Sequence, residues 1–280
     1  MCGMERFCAQ YIQTQGLEVR QMKNNIGAVI VDVEGVIRDS ATVFHHAYEQ
    51  ALASANLRLV SLPTETWKLR GYKELNSQKK VLETLYAIAK TNDDLTKILW
   101  KKKPVEYVTE MNKKTQPSKD VLAKMEATYV SYLTTPVVMR RIPPVRAGKM
   151  GVKILKDDGY IVAALTNSSR EISEKWMELK KVGAHFDKLM GIEDVGAPKP
   201  SPDGIIKMCK YLKVKTKDTV YIGDTEADII AAKNAGCIPV GVVSGGTERR
   251  TLRDLGATYT FRSVTEFALW LRNGGKIGKE

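Results

Sequence analysis

The sequence predicts an α/β fold: a parallel sheet covered by helices on both faces, interrupted after its first strand by an all-helical insertion. Three observations predict it. The first strand signal, Gly27-Ala-Val-Ile-Val-Asp32, is a short apolar, β-branched run of the kind that parallel strands show when both faces are buried. From Thr42 to about Pro136 the apolar residues then recur at helical spacing, and no strand signal breaks them. From Ala147 onward helix and strand signals alternate, which is the pattern of repeated βα units.

Residues 1–25 have only weak helical periodicity and stand apart as an N-terminal extension, with Met22 a second candidate start just ahead of the strand. The insertion is expected over 43–145. Its apolar stripes are Phe44, Tyr48, Ala51 and Leu52; then Val81, Leu82, Leu85, Ile88 and Ala89; then Val121, Met125, Tyr129 and Tyr132. Pro104 and Pro117 punctuate it, and Pro143-Pro144 closes it. His45 and His46 open its first helix, so one faces the core and the other solvent.

The core, 26–42 and 146–280, continues as a helix over 147–156, a strand over 160–165, a helix over 171–182 and a strand near 189–192. A helix over 202–212, a strand over 219–222 and a helix over 227–235 follow. A strand over 239–243, a helix over 248–255 and a last strand near 258–261 complete the run.

Composition narrows the classes of function. At 280 residues, 43% hydrophobic and 27% charged, the chain reads as an ordinary globular protein with a sizeable core. No apolar run has the ~20 residues of a membrane span, and the N-terminus lacks the apolar centre of a signal peptide. The four cysteines form no CxxC pair and have no histidine at ligand spacing, so a cytoplasmic location is expected, without a disulfide framework or zinc. The net charge of +12 is spread along the chain rather than gathered with aromatics. That distribution argues against a nucleic-acid surface and for a basic exterior that attracts anionic substrates.

In parallel sheets ligands bind at the carboxyl ends of the strands, where this sequence places its polar residues. The first strand runs out into Asp32-Val-Glu34-Gly, the second into Thr166-Asn167, and the fourth into Gly223-Asp224-Thr-Glu-Ala-Asp228; Lys199 lies in a loop fixed by prolines. Such a set suits attack by a carboxylate on phosphorus, which requires the phosphate charge to be neutralised. Asp32 and Asp224 offer hard oxygen ligands to Mg²⁺. Thr166 and backbone N–H groups can hold phosphoryl oxygens, and Lys199 adds a positive charge. Glu34, two residues after the nucleophile Asp32, can protonate a leaving alkoxide and then activate water.

The four segments resemble, in order and context, the signature motifs of the haloacid dehalogenase-like superfamily: Val-Ile-Val-Asp32-Val-Glu34-Gly-Val, Leu-Thr166-Asn167, Lys199-Pro-Ser-Pro and Gly223-Asp224-Thr-Glu-Ala-Asp228. The insertion resembles the helical cap of the phosphoglycolate phosphatase and β-phosphoglucomutase branch. The resemblance implies a Rossmann-like core with an inserted cap domain, and a Mg²⁺-dependent aspartyl-phosphate mechanism on a small phosphorylated metabolite. Phosphoglycolate and sugar phosphates are the first candidates. It implies catalytic roles for Asp32, Glu34 and Lys199, and substrate contacts from Thr166 and Asn167. The metal would be held by Asp32, the Glu34 main-chain carbonyl and Asp224, with Asp228 one shell out. Leu69-Arg70-Gly71-Tyr72-Lys73 falls where that branch places a substrate-facing loop, so Arg70 and Lys73 are candidate substrate contacts; as charges in a polar stretch, their simpler reading is solvation.

One departure matters. Phosphatases of the superfamily usually carry Asp where this chain has Glu34, although its enolase-phosphatases resemble the chain there. A phosphosugar mutase is the alternative within enzymes, and a binding protein with a retired site is the alternative outside them.

Overall fold

The computed structural model describes residues 25–75 and 77–277, the Lys73 side chain excepted. The expected N-terminal extension lies almost wholly outside them. Six strands form one sheet: β1 (Ala28–Val31), β2 (Val162–Leu165), β3 (Lys188–Met190), β4 (Thr219–Gly223), β5 (Ile238–Val242) and β6 (Tyr259–Phe261). The order is β3-β2-β1-β4-β5-β6 and every pairing is parallel. β1 is central, with Val31 opposite Ala164 of β2 and Ile222 of β4.

The two-residue period of a strand sorts its side chains to opposite faces. Val29, Val31, Val162, Ala164, Val220 and Ile222 join one apolar cluster, while Ile30, Ala163, Leu165 and Tyr221 join another. Both faces are covered, so the strands read as unbroken apolar runs. The first face is covered by α8 (Arg146–Asp157), α9 (Arg170–Leu179) and α13 (Val264–Arg272), through Val152, Leu155, Trp176, Phe267 and Leu271. The second is covered by α10 (Asp203–Leu212) and α11 (Glu226–Asn234), through Ile205, Met208, Ala231 and Ala232. A short α12 (Arg249–Asp254) lies between β5 and β6.

Among the described residues, seven α-helices lie between β1 and α8: α1 (Ala41–Ser54), α2 (Pro63–Gly71), α3 (Gln78–Thr91), α4 (Leu95–Leu99), α5 (Pro104–Lys114), α6 (Lys119–Thr134) and α7 (Pro136–Arg141). Local chemistry starts and stops them. Ser77, Asp94 and Ser118 cap α3, α4 and α6 with side-chain oxygens, Pro104 and Pro136 stand in the first turns of α5 and α7, and Asn92 ends α3 in the left-handed region. These helices bury a cluster of their own around Tyr48, Leu52, Leu82, Leu85, Ile88 and Met125. His45 is buried and His46 exposed, as helical periodicity predicts.

The boundaries depart from the sequence reading in several places. The helix expected to reach Val182 stops at Leu179, and Lys181 then adopts φ 52°. The third strand ends at Met190, with Ile192 in a 3₁₀ turn. Helix α13 follows the last strand, and the sequence reading stopped short of it. None of the described helices is long and apolar enough to cross a membrane. Cys209 and Cys237 are free and buried.

Candidate active site

Asp32, Thr166 and Asp224 directly follow β1, β2 and β4, three adjacent strands, so the sheet itself delivers them to one edge. The order β2-β1-β4 makes this the point where connections diverge and a crevice opens. Lys199 reaches the same edge from the loop between β3 and α10. Its Nζ donates to Asp32 Oδ1 at 2.6 Å, Asp228 Oδ1 at 2.6 Å and the Tyr221 hydroxyl at 3.0 Å. Asn167 anchors that loop with both ends of its amide: Oδ1 accepts from the Lys199 N–H at 2.9 Å and Nδ2 donates to the Lys199 carbonyl at 3.1 Å.

Asp228 is committed on both oxygens. Oδ1 receives Lys199 and Tyr221, while Oδ2 closes the capping box of α11 with Thr225. Asp224 is the opposite case: it is fully buried, and neither carboxylate oxygen has a hydrogen-bond partner among the described residues. Glycines press on it. A Cβ at Gly245 would stand 1.6 Å from its Oδ2, and one at Gly35, whose φ is +74°, would stand 2.5 Å away.

Ligand atoms of Asp32, Asp224 and Asp228 lie within 4.8 Å of one another. Burial pushes the Asp32 carboxyl up to about 8; the Lys199 ammonium pulls the other way, and Asp228 and Glu34 add to the rise. Burial, with Asp228 and Asp32 beside it, likewise raises Asp224 well above the carboxylate range. Three buried carboxylates with one ammonium among them ionise together only if more positive charge is supplied. An unpartnered buried carboxylate beside Asp32 is therefore a donor set that fits a hard divalent cation.

Glu34 points elsewhere. Arg38 Nη2 donates to its Oε1 in a buried ion pair, and the Thr166 hydroxyl donates to its Oε2. Burial alone would raise this carboxyl; Arg38 and the hydroxyls of Thr166 and Ser168 outweigh it and hold it down to about 2.

A cavity of about 640 Å³ separates this edge from the helices of the insertion, a size at which small-molecule sites are usually found. Asp32, Glu34 and Lys199 line it from the sheet, and Phe44, Trp67, Arg70 and Tyr129 from the helices. The expectation that Arg70 is simply solvated is corrected here. Its guanidinium lies 4.3 Å from the Phe44 ring centroid and donates to the hydroxyls of Tyr48 at 2.6 Å and Tyr129 at 3.3 Å. The Lys73 side chain lies outside the described residues.

Sequence reasoning passed over Tyr221, Arg38, Trp67 and Gly245. Arg38 had a faint signal, a charge four residues after Glu34, and Tyr221 carries a hydroxyl in the middle of a buried strand. Trp67 had none: it rests against Gly35 and Gly246, which only the fold brings to it.

The model of the haloacid dehalogenase-like hydrolase family matches residues 74–242. The chain belongs to that family. The match takes in Thr166, Lys199, Asp224 and Asp228 and begins after Asp32 and Glu34. Among curated family relatives, the phosphoglycolate phosphatase of Aquifex aeolicus is 32% identical over 105 residues, 38% of this chain and 48% of that protein. Pyrophosphatase PpaX of Halalkalibacterium halodurans is 31% identical over 117 residues, 41% of this chain and 54% of that protein. The chain thus spans about half the length of these relatives.

Solved structures extend the likeness in fold across most of the chain. A predicted phosphoglycolate phosphatase from Haemophilus somnus superposes with a TM-score of 0.67 at 18% identity, covering 88% of this chain and 98% of its own. A haloacid dehalogenase family hydrolase from Deinococcus radiodurans, solved with phosphate and sodium bound, gives 0.59 at 19%, covering 90% and 97%.

Proposed function

We propose that the protein is a Mg²⁺-dependent phosphohydrolase that removes phosphate from a small phosphate ester through an aspartyl-phosphate on Asp32, with the helical insertion serving as a cap over the site. The carrying observation is the junction of Asp32, Thr166, Lys199 and the unpartnered Asp224 at adjacent strand ends. Relatives named as phosphoglycolate phosphatase and pyrophosphatase support the reaction class and make phosphoglycolate, pyrophosphate and sugar phosphates the first substrates to try.

Asp32 and Asp224, with the Glu34 main-chain carbonyl, would hold Mg²⁺, which supplies charge neutralisation at the phosphoryl group. Asp228 stands one shell out, fixing Lys199 and the start of α11. In the first step an Asp32 oxygen attacks phosphorus and the bond to the ester oxygen breaks. Lys199 holds Asp32 in place and offsets its repulsion from the phosphate. The leaving oxygen takes up a proton from the Glu34 carboxyl, which must therefore enter this step protonated. In the second step Glu34 takes a proton from water as the water oxygen attacks phosphorus and the bond to Asp32 breaks. Having given up that proton, Glu34 enters the second step ionised, the form that its bonds to Arg38 and the Thr166 hydroxyl favour. Arg70 and the aromatic wall of Phe44 and Tyr129 would receive the rest of the substrate.

The test is a panel of phosphate esters and pyrophosphate with Mg²⁺, with EDTA, and after Mg²⁺ is restored. Wild type should hydrolyse at least one compound only when the metal is present. Asp32→Asn, folded by circular dichroism, should be inactive; wild-type turnover by that variant would reject the mechanism.

A further inference from the structure

We infer that Arg38 is a positioning residue that holds the Glu34 carboxylate in place through the reaction. The inference rests on the phosphohydrolase reading above and names a part that the family resemblance did not supply. Arg38 is 1% exposed, and its guanidinium lies between the ring of Phe44 at 5.9 Å and that of Trp176 at 5.5 Å. Nη2 donates to Glu34 Oε1, while Nε and Nη1 have no hydrogen-bond partner among the described residues. As a purely structural element this is a poor choice. A buried ion pair with unsatisfied donors gives no more stability than an apolar side chain of the same volume. Its placement makes sense if what matters is where Glu34 points.

Glu34 needs such a partner. Glutamate has one more rotatable bond than the aspartate usual at this position, so its carboxyl loses more freedom when fixed. Three groups hold it here, Arg38 and the hydroxyls of Thr166 and Ser168. Thr166 is also the hydroxyl placed to hold a phosphoryl oxygen. Once substrate takes that hydroxyl, Arg38 is the charged group left in contact with Glu34. Arg38 is itself well anchored, because its main chain bridges Glu34 on one side and Pro144 on the other. On either side of it Asp39 N–H donates to the Pro143 carbonyl at 3.0 Å, and Val145 N–H to the Ile37 carbonyl at 2.8 Å. The acid–base group is thus tied to the place where the chain leaves for the helical insertion and returns.

The experiment is a kinetic double-mutant cycle on the full chain, with p-nitrophenyl phosphate and an alkyl phosphate as substrates. Arg38→Met keeps the apolar stem between the two rings and removes the charge. Expected is a fall in kcat of about 10²-fold, the lower range of acid–base assistance, with KM nearly unchanged and a larger loss on the alkyl ester. Combined with Glu34→Gln, it should fall no lower than Glu34→Gln alone, since both changes remove one function. Arg38→Lys should recover part of the loss, and it carries the same cycle if Arg38→Met does not fold. Additive losses, a raised KM with unchanged kcat, or a lowered Tm with unchanged kcat would each overturn the role. A wild type that hydrolyses nothing overturns the phosphohydrolase reading and this inference with it, whereas an active wild type insensitive to Arg38 overturns only the inference.

Discussion

At the scale of single residues, the contrast between Asp224 and Asp228 sets the expectations. Asp228 is saturated with hydrogen bonds, while Asp224 has none among the described residues and is buried all the same. An unpartnered buried carboxylate is costly to the metal-free protein, so Asp224→Asn should raise its Tm while abolishing any rise on adding Mg²⁺. In wild type, saturating metal adds about 2.7 kcal/mol at a hundred times Kd. A Tm of wild type that ignores Mg²⁺ would count against the donor set. Gly245 gives a second, purely steric test. Its φ lies outside the left-handed region, so alanine fits the backbone, yet the added methyl carbon would meet Asp224 Oδ2 at 1.6 Å. Gly245→Ala should therefore displace Asp224, weakening Mg²⁺ activation in a titration of rate against metal. An unchanged half-saturating concentration would show that the loop yields instead.

At the scale of elements, what the sequence revealed follows from how each element is buried. Strands covered on both faces appear as plain apolar runs, so β1, β2 and β4 were legible, and with them Asp32, Thr166 and Asp224 at their ends. Helix α13 was legible too, in the cap Ser263, in Glu266 three residues on, and in Val264, Phe267, Ala268 and Leu271, but that pattern was not followed past the last strand. Arg70 was not legible. Its partner Tyr129 is 59 positions away on α6, and nothing local in Leu69-Arg70-Gly71 distinguishes a partly buried, hydrogen-bonded guanidinium from a solvated one. The first helix of the insertion carries its own prediction. His45 on α1 is buried, with Nδ1 against the Thr66 hydroxyl at 2.9 Å; burial lowers its pKa from 6.5, the Glu49 and Glu65 charges oppose this, and His46 adds to the lowering. The unfolded chain thus binds this proton more readily than the folded one. Stability from this residue is complete above pH 6.5 and is lost as pH falls below it. Tm measured between pH 7 and pH 5 should fall less in His45→Gln than in wild type, and equal slopes would remove His45 from the account.

At the scale of the whole molecule, β1 at residues 28–31 pairs with β2 at 162–165 and β4 at 219–223, while the insertion in between packs on itself. Among the strands, β1 is therefore the one whose partners lie farthest along the chain. A ribosome adds about 5–20 residues per second, so β1 waits on the order of ten to forty seconds for β4 to be made. The helices of the insertion bury an apolar cluster of their own and need not wait for β4 to form it. Nascent chains arrested with residue 145 outside the ribosome should show protease protection over 41–141 and cleavage in β1; protection of β1 should appear only when residue 223 has emerged. Early protection of β1 would contradict this order. If it holds, Ala-Val-Ile-Val spends that interval as a bare apolar segment in a crowded compartment, and the strand that runs out into Asp32 becomes the stretch where a chaperone would bind first.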